Sequence, residues 1–140
     1  MIIHCWSDPD SKIIIFFLRG SFTVSHSQAF LEQASEKSSS GQARIIVDLG
    51  KVTAMDSAGI GSLLALSRRL SASRGELFLS SPSPAVARGL GIMSLDDLFQ
   101  VLPGGVREGL ARLASKTAPG LAERFEAGVM RDGRLKMLVE

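Results

Sequence analysis

Val47-Asp48-Leu49-Gly50-Lys51-Val52-Thr53-Ala54-Met55-Asp56-Ser57-Ala58-Gly59-Ile60-Gly61 decides how the chain is read. It opens at the end of a β-branched run, Arg44-Ile45-Ile46-Val47-Asp48-Leu49, which predicts a central strand. A helical pattern starts just after Asp56. With Ile60 set at zero and about 100° added per residue, Leu63, Leu64, Leu66 and Leu70 share one broad arc with Ile60, which predicts the face turned to a sheet. The other side carries Ala58, Gly61, Ala65, Arg68, Arg69 and Ala72. Small residues there leave a low face with room for a partner protein. Asp56 and Ser57 are both favoured helix-cap residues, so capping alone is one reading of the turn.

Outward from this stretch the pattern alternates. Ile2 to Trp6 reads as a first strand, Asp8-Pro9-Asp10-Ser11 as a tight turn, and Lys12 to Arg19 as a second strand covered on both faces and ended by Gly20. Ser25 with Gln28 fits a capping box. The helix it would open buries Phe30, Leu31 and Ala34 and is closed by Ser38-Ser39-Ser40-Gly41. Glu76 to Leu79 is the next strand, and Ser83-Pro84 pairs a serine cap with a first-turn proline. Gly91 is expected to stop that helix, Leu98 to Val101 to form a last strand, and Pro103-Gly104-Gly105 to break the chain. A helix over Val106–Ala114 and an amphipathic stretch around Leu121, Phe125 and Val129 follow. Two opening strands and then alternating helices and strands predict an α/β domain with a mixed sheet.

Bulk properties narrow the function. The chain has 140 residues, of which 45% are hydrophobic, sufficient for one core. Sixteen basic residues nearly balance 14 acidic ones, a net charge of +2, so nucleic-acid binding gains no support. The single cysteine, Cys5, excludes an intrachain disulfide and favours a cytoplasmic setting. The apolar run Ile13 to Leu18 falls far short of the ~20 residues of a membrane helix, and Asp8 and Asp10 argue against a secretory leader. His4, His26 and Cys5 give no metal-ligand spacing. No catalytic triad, phosphate-cradling loop or carboxylate pair stands out, so neither an enzyme nor a cofactor is expected.

The Asp56-Ser57-Ala58-Gly59-Ile60-Gly61 turn behind a strand ending in Asp48-Leu49 resembles the signature of the STAS family of anti-sigma factor antagonists. Ser81 to Val86 and Leu90-Gly91-Ile92-Met93-Ser94-Leu95-Asp96-Asp97-Leu98-Phe99 resemble the segments that open and close the family's third helix. The resemblance covers roughly residues 1–115. It implies a STAS-like α/β fold, a mixed β-sheet of about four to five strands with helices packed on it; a C-terminal helical extension over 116–140 is expected beyond the usual family length. It also implies an antagonist that binds a protein partner, an anti-sigma factor that is a serine kinase, and is switched by phosphorylation of Ser57. The partner-binding residues would be Asp56, Ala58, Gly59, Gly61, Ala65, Arg68, Arg69 and Thr23.

Several features stay open in the sequence. Gly59 and Gly61 each cost about 1 kcal/mol of helix stability relative to alanine. Close approach of a partner and tight packing on the sheet explain them equally well. Arg68 and Arg69 fit a solvated face better than an acidic partner. Ala58 stands where signalling members commonly carry a second hydroxyl, and Gly20-Ser21-Phe22-Thr23 replaces an acidic Gly-Glu-Leu-Asp loop. These departures support an alternative, a non-catalytic adaptor subunit of a lipid-transport ABC complex or a stress-signalling scaffold. The segment 116–140 could form an added helix, dock on a partner or seal a sheet edge. Homodimer formation is left open, and no membrane insertion is expected.

Overall fold

Strand β2 (Ile13–Phe22) shows why the chain needs two layers of helices. Ile13 to Leu18 are all buried, and a strand sends alternate side chains to opposite faces. Ile14, Phe16 and Leu18 join one core cluster, and Ile13, Ile15 and Phe17 join another. Each face therefore has to be covered.

The computed structural model describes residues 1–92, 98–102, 104–114 and 119–139. Met93-Ser94-Leu95-Asp96-Asp97, the Pro103 break and the expected boundary at 115/116 lie outside the described residues. The elements run β1 (Ile2–Asp8), β2, α1 (Val24–Lys37), β3 (Arg44–Met55), α2 (Ser57–Ala72), β4 (Glu76–Ser80), α3 (Pro84–Ile92), β5 (Gln100–Leu102), α4 (Val106–Ala114), α5 (Leu121–Arg131) and α6 (Gly133–Val139). They build a five-stranded sheet in the order β1-β2-β3-β4-β5. Strand β1 is antiparallel to β2, and the remaining pairs are parallel. This is the mixed α/β sheet that the sequence predicts.

Parallel neighbours joined in sequence order by right-handed crossovers place their connecting helices on one face. Accordingly Phe30, Leu31 and Ala34 of α1, Ile60, Leu63, Leu66 and Leu70 of α2, and Val86 and Leu90 of α3 share the front cluster. The opposite face is covered from the chain's far end. Val106 and Leu110 of α4, Leu121, Phe125 and Val129 of α5 and Leu135 of α6 pack with Ile13, Ile15, Phe17, Ile46 and Phe78. Arg124 of α5 grips the turn between β1 and β2 with two bonds, Nε to Asp8 Oδ1 and Nη2 to Asp8 Oδ2, both 2.8 Å. Those bonds, with the Ser11 hydroxyl and N–H, hold the Asp8 carboxyl below its ordinary range against the opposing effect of burial. Of the three roles open to the tail, helical packing is the one seen.

Four local expectations are corrected. Gly20 does not end β2; it adopts φ +98° at a register irregularity, and pairing with β3 resumes through Phe22↔Met55. The Ser25–Gln28 capping box does not form, because α1 starts at Val24 with Thr23 as cap, and Gln28 instead donates to Glu32. Helix α3 runs through Gly91 to Ile92. The last strand is Gln100–Leu102, with Leu98 exposed and Phe99 turned into the front core, where burial of the ring outweighs extension of the strand.

Candidate functional site

The long strand β3 and helix α2 meet at Asp56, whose carboxylate does two jobs. Oδ1 accepts the Gly59 N–H at 3.0 Å, capping α2. Oδ2 accepts the Val24 N–H at 3.0 Å, so the same group also caps the start of α1. Thr23, the formal cap of α1, makes no side-chain cap bond. Its place is taken by Asp56, 32 positions along the chain from the Val24 N–H that it accepts. One carboxylate therefore serves two helix N-termini, where orphan N–H groups and the helix dipoles favour negative charge.

The acidity of Asp56 follows. The Gly59 N–H holds the carboxyl below its ordinary value of 3.8, partial desolvation opposes this, and the N–H groups of Val24 and Ala58 reinforce it. A carboxyl whose folded pKa is depressed stabilises the protein above its unfolded value, and that contribution disappears as pH falls through the folded value. In thermal melts, Asp56→Ala is expected to be less stable than the parent at neutral pH. The gap should close once the pH drops below the ordinary aspartate range.

Ser57, the first residue of α2, is exposed, with its side chain beside this double cap. Thr23 and Ala58 are half-buried next to it. Gly61 lies in the open, with no atom beyond its chain neighbours and its own helix backbone within 4 Å of where a Cβ would stand. Arg68 is exposed and has no hydrogen bond or ion pair among the described residues.

The other predicted contact residues separate from this group. Gly59 is buried, and a Cβ on it would lie 2.4 Å from the Phe22 carbonyl oxygen and 3.0 Å from Met55 Cγ. Its role here is the packing one, since α2 can settle on the ends of β2 and β3 only without a side chain there. Ala65 is half-buried against the front core, and Arg69 donates to the Ser35 hydroxyl of α1 at 2.8 Å. Two residues of the six on the expected open flank of α2 are thus engaged within the protein, Ala65 by the front core and Arg69 by α1. The free surface is narrower and is centred on Ser57, Gly61 and Arg68.

Val24 is the rim residue that the sequence reading missed. It is 70% exposed, at the first position of α1, and joined through its N–H to Asp56. Placing the helix start at Ser25 hid it. Thr23, itself a good cap type, was the signal that could have found it. An exposed β-branched side chain beside a hydroxyl and a small-residue helix start suits protein contact better than small-molecule capture. Among the described residues no group of three or more His, Cys, Asp or Glu is placed to hold a metal ion. No helix there is long and apolar enough to cross a membrane.

Comparison with known proteins matches this architecture. A STAS-domain protein of Pseudomonas aeruginosa is 28% identical over 101 residues, covering 72% of this chain and 99% of its own. A Thermotoga maritima protein assigned as an anti-sigma factor antagonist superposes with TM-score 0.70 at 18% identity, covering 79% of this chain and 93% of its own. The anti-sigma factor antagonist SpoIIAA in its unphosphorylated form gives TM-score 0.69 at 21% identity, covering 81% of this chain and 97% of its own. Both structures share the fold. The family model for the STAS domain matches residues 9–108, from the β1–β2 turn into α4. Carrying that match together with the sheet order and the strand-turn-helix at Asp56, this chain belongs to the STAS-domain family.

Proposed function

We propose that the protein is a phosphorylation-switched anti-sigma factor antagonist, acting in the cytoplasm. Its surface around Ser57 binds a serine kinase that is also an anti-sigma factor. Unphosphorylated, it captures that partner and frees a sigma factor. Phosphorylated on Ser57, it lets go.

The observation that carries this reading is the exposed Ser57 hydroxyl at the head of α2, on a rim formed by Thr23, Val24 and Gly61. A phosphate adds roughly −1.5 to −2 charges. Asp56 has already taken the Gly59 and Val24 N–H groups, so the new charge arrives beside an existing carboxylate and finds fewer free donors. The fold hardly needs to move. A rim that a partner would desolvate becomes more strongly anionic, and each ~1.4 kcal/mol lost is about tenfold in affinity.

The test is recovery of the kinase from the source cells on immobilised parent, Ser57→Ala and Ser57→Glu proteins, with peptide mass spectrometry after incubation with ATP. Ser57→Ala should retain the kinase, Ser57→Glu should bind it at least tenfold more weakly, and phosphate should map to Ser57. Equal capture by both variants, or phosphate at another residue, contradicts the switch. Ala58, which offers no second hydroxyl beside Ser57, favours the adaptor reading. In that case a transporter ATPase, rather than a kinase, would be recovered, and phosphate would be absent.

A further inference from the structure

The outer edge of β1 differs from that of an ordinary protected strand. Its pairing with β2 is unbroken from Ile2↔Arg19 to Asp8↔Ile13, and no other strand lies beyond it among the described residues. Among the described residues, the outward backbone N–H and C=O groups of Ile2 to Asp8 take part in no further hydrogen bond. Proteins usually blunt such an edge with lysine, proline or a bulge. Ile2-Ile3-His4-Cys5-Trp6-Ser7-Asp8 has none of these.

A second observation lies behind the same edge. At the β1 edge, Ile2, Ile3, His4 and Arg19 meet Arg134, Met137 and Leu138 of α6 around a cleft of about 270 Å³, with Ile3 also packed on the front core. The buried row Ile13, Ile15, Phe17 ends there in Arg19, so the back core stops short of filling this corner. The guanidinium groups of Arg19 and Arg134 have no hydrogen bond or ion pair among the described residues. The neighbouring carboxylate of Asp132 is engaged by His4 at 3.2 Å. Ile2 is 60% exposed and Met137 67% exposed, both at the mouth of the cleft.

We propose that β1 is a docking edge for an extended segment of another protein. That segment adds as a further strand, with apolar side chains and a carboxylate on the face turned to the Arg19–Arg134 cleft. Backbone pairing supplies affinity in this mode, and pockets for alternate side chains supply specificity. Two cations without a partner among the described residues, over an apolar floor, select an acidic-apolar occupant. A second copy of this chain fits less well. The sole carboxylate of its β1, Asp8, is 4% exposed and already held by Arg124 at 2.8 Å. Apart from Arg19, the cleft residues lie outside the span 9–108 shared with the family model, and none of them is a residue of the Ser57 rim.

The test uses the full chain and a blocked, fluorescein-labelled hexapeptide in which threonine alternates with leucine, glutamate and valine. A lysine-for-glutamate version and a backbone N-methylated version serve as controls. Fluorescence anisotropy should show the glutamate peptide binding at least tenfold tighter than the lysine one. The N-methylated peptide should not bind. Hydrogen exchange should slow at outward amides of β1, and Arg19→Glu with Arg134→Glu should reverse the charge preference. The idea is overturned if glutamate and lysine peptides bind alike, if N-methylation has no effect, or if none binds at millimolar concentration. Protection of β1 arising without peptide, in a dimer seen by light scattering, would instead assign the edge to a second copy and likewise overturn it.

Discussion

Replacing Phe125 with alanine is expected to destabilise the protein by about 3–5 kcal/mol, the usual cost of emptying a fully buried phenylalanine site. Phe125 is 1% exposed at the centre of the back cluster, and its ring meets Trp6 edge-on at 5.1 Å. Trp6 is the only tryptophan, so its emission reports the site directly. Urea unfolding followed by that emission should show a lower midpoint, and the folded variant should emit further to the red as water reaches the indole. Met130→Ala on the same helix, at a side chain 85% exposed, should stay within about 0.5 kcal/mol of the parent. If Phe125→Ala were as mild, α5 would not be the cover of the back face, and Ile13, Ile15 and Phe17 would need another.

Gly59→Ala and Gly61→Ala, two residues apart on one helix, are expected to change stability in opposite directions. Alanine gains about 1 kcal/mol over glycine in a helix interior. At Gly61, with nothing within 4 Å of the added carbon, that gain should appear as a raised melting temperature. At Gly59 the added carbon falls 2.4 Å from the Phe22 carbonyl oxygen, a backbone atom that cannot swing aside. Forcing α2 off the strand ends should give a net loss of about 1–3 kcal/mol, the range for overpacked sites. Thermal melts of the two single variants decide it. Equal effects would mean that α2 does not rest on β2 at this point.

Much of the framework was legible because its signals are local. Ser83 with Pro84 predicts a helix start, and the structure has Ser83 Oγ accepting the Val86 N–H at 3.3 Å while donating to the Val52 carbonyl at 2.7 Å. The arc of Ile60, Leu63, Leu64, Leu66 and Leu70 predicts the buried face of α2; four of the five are buried and Leu64 is half-buried against the front core. Helix α1 was less legible at its start. Ser25 and Gln28 have the right spacing for a box, but a carboxylate on another element supplies the acceptor, and no local pattern reports that.

At the Ser57 rim the same division holds. Sequence identified the turn, the hydroxyl and the small residues, because residue type and spacing suffice for a cap and a helix start. It could not tell Gly59 from Gly61, or Arg68 from Arg69. Those differences depend on Phe22, Met55 and Ser35, which only folding brings alongside α2.

The order of strands and helices, the two-sided burial of β2 and the site of the α2 cap were written into the chain, since periodicity and capping act over a few residues. Which surface stays free was decided in three dimensions. The tail had to land on the back of the sheet before Arg124 could reach Asp8 and before Arg19 and Arg134 could face one cleft. Contacts between residues more than a hundred positions apart leave no local trace, because they arise from how whole layers stack to exclude water.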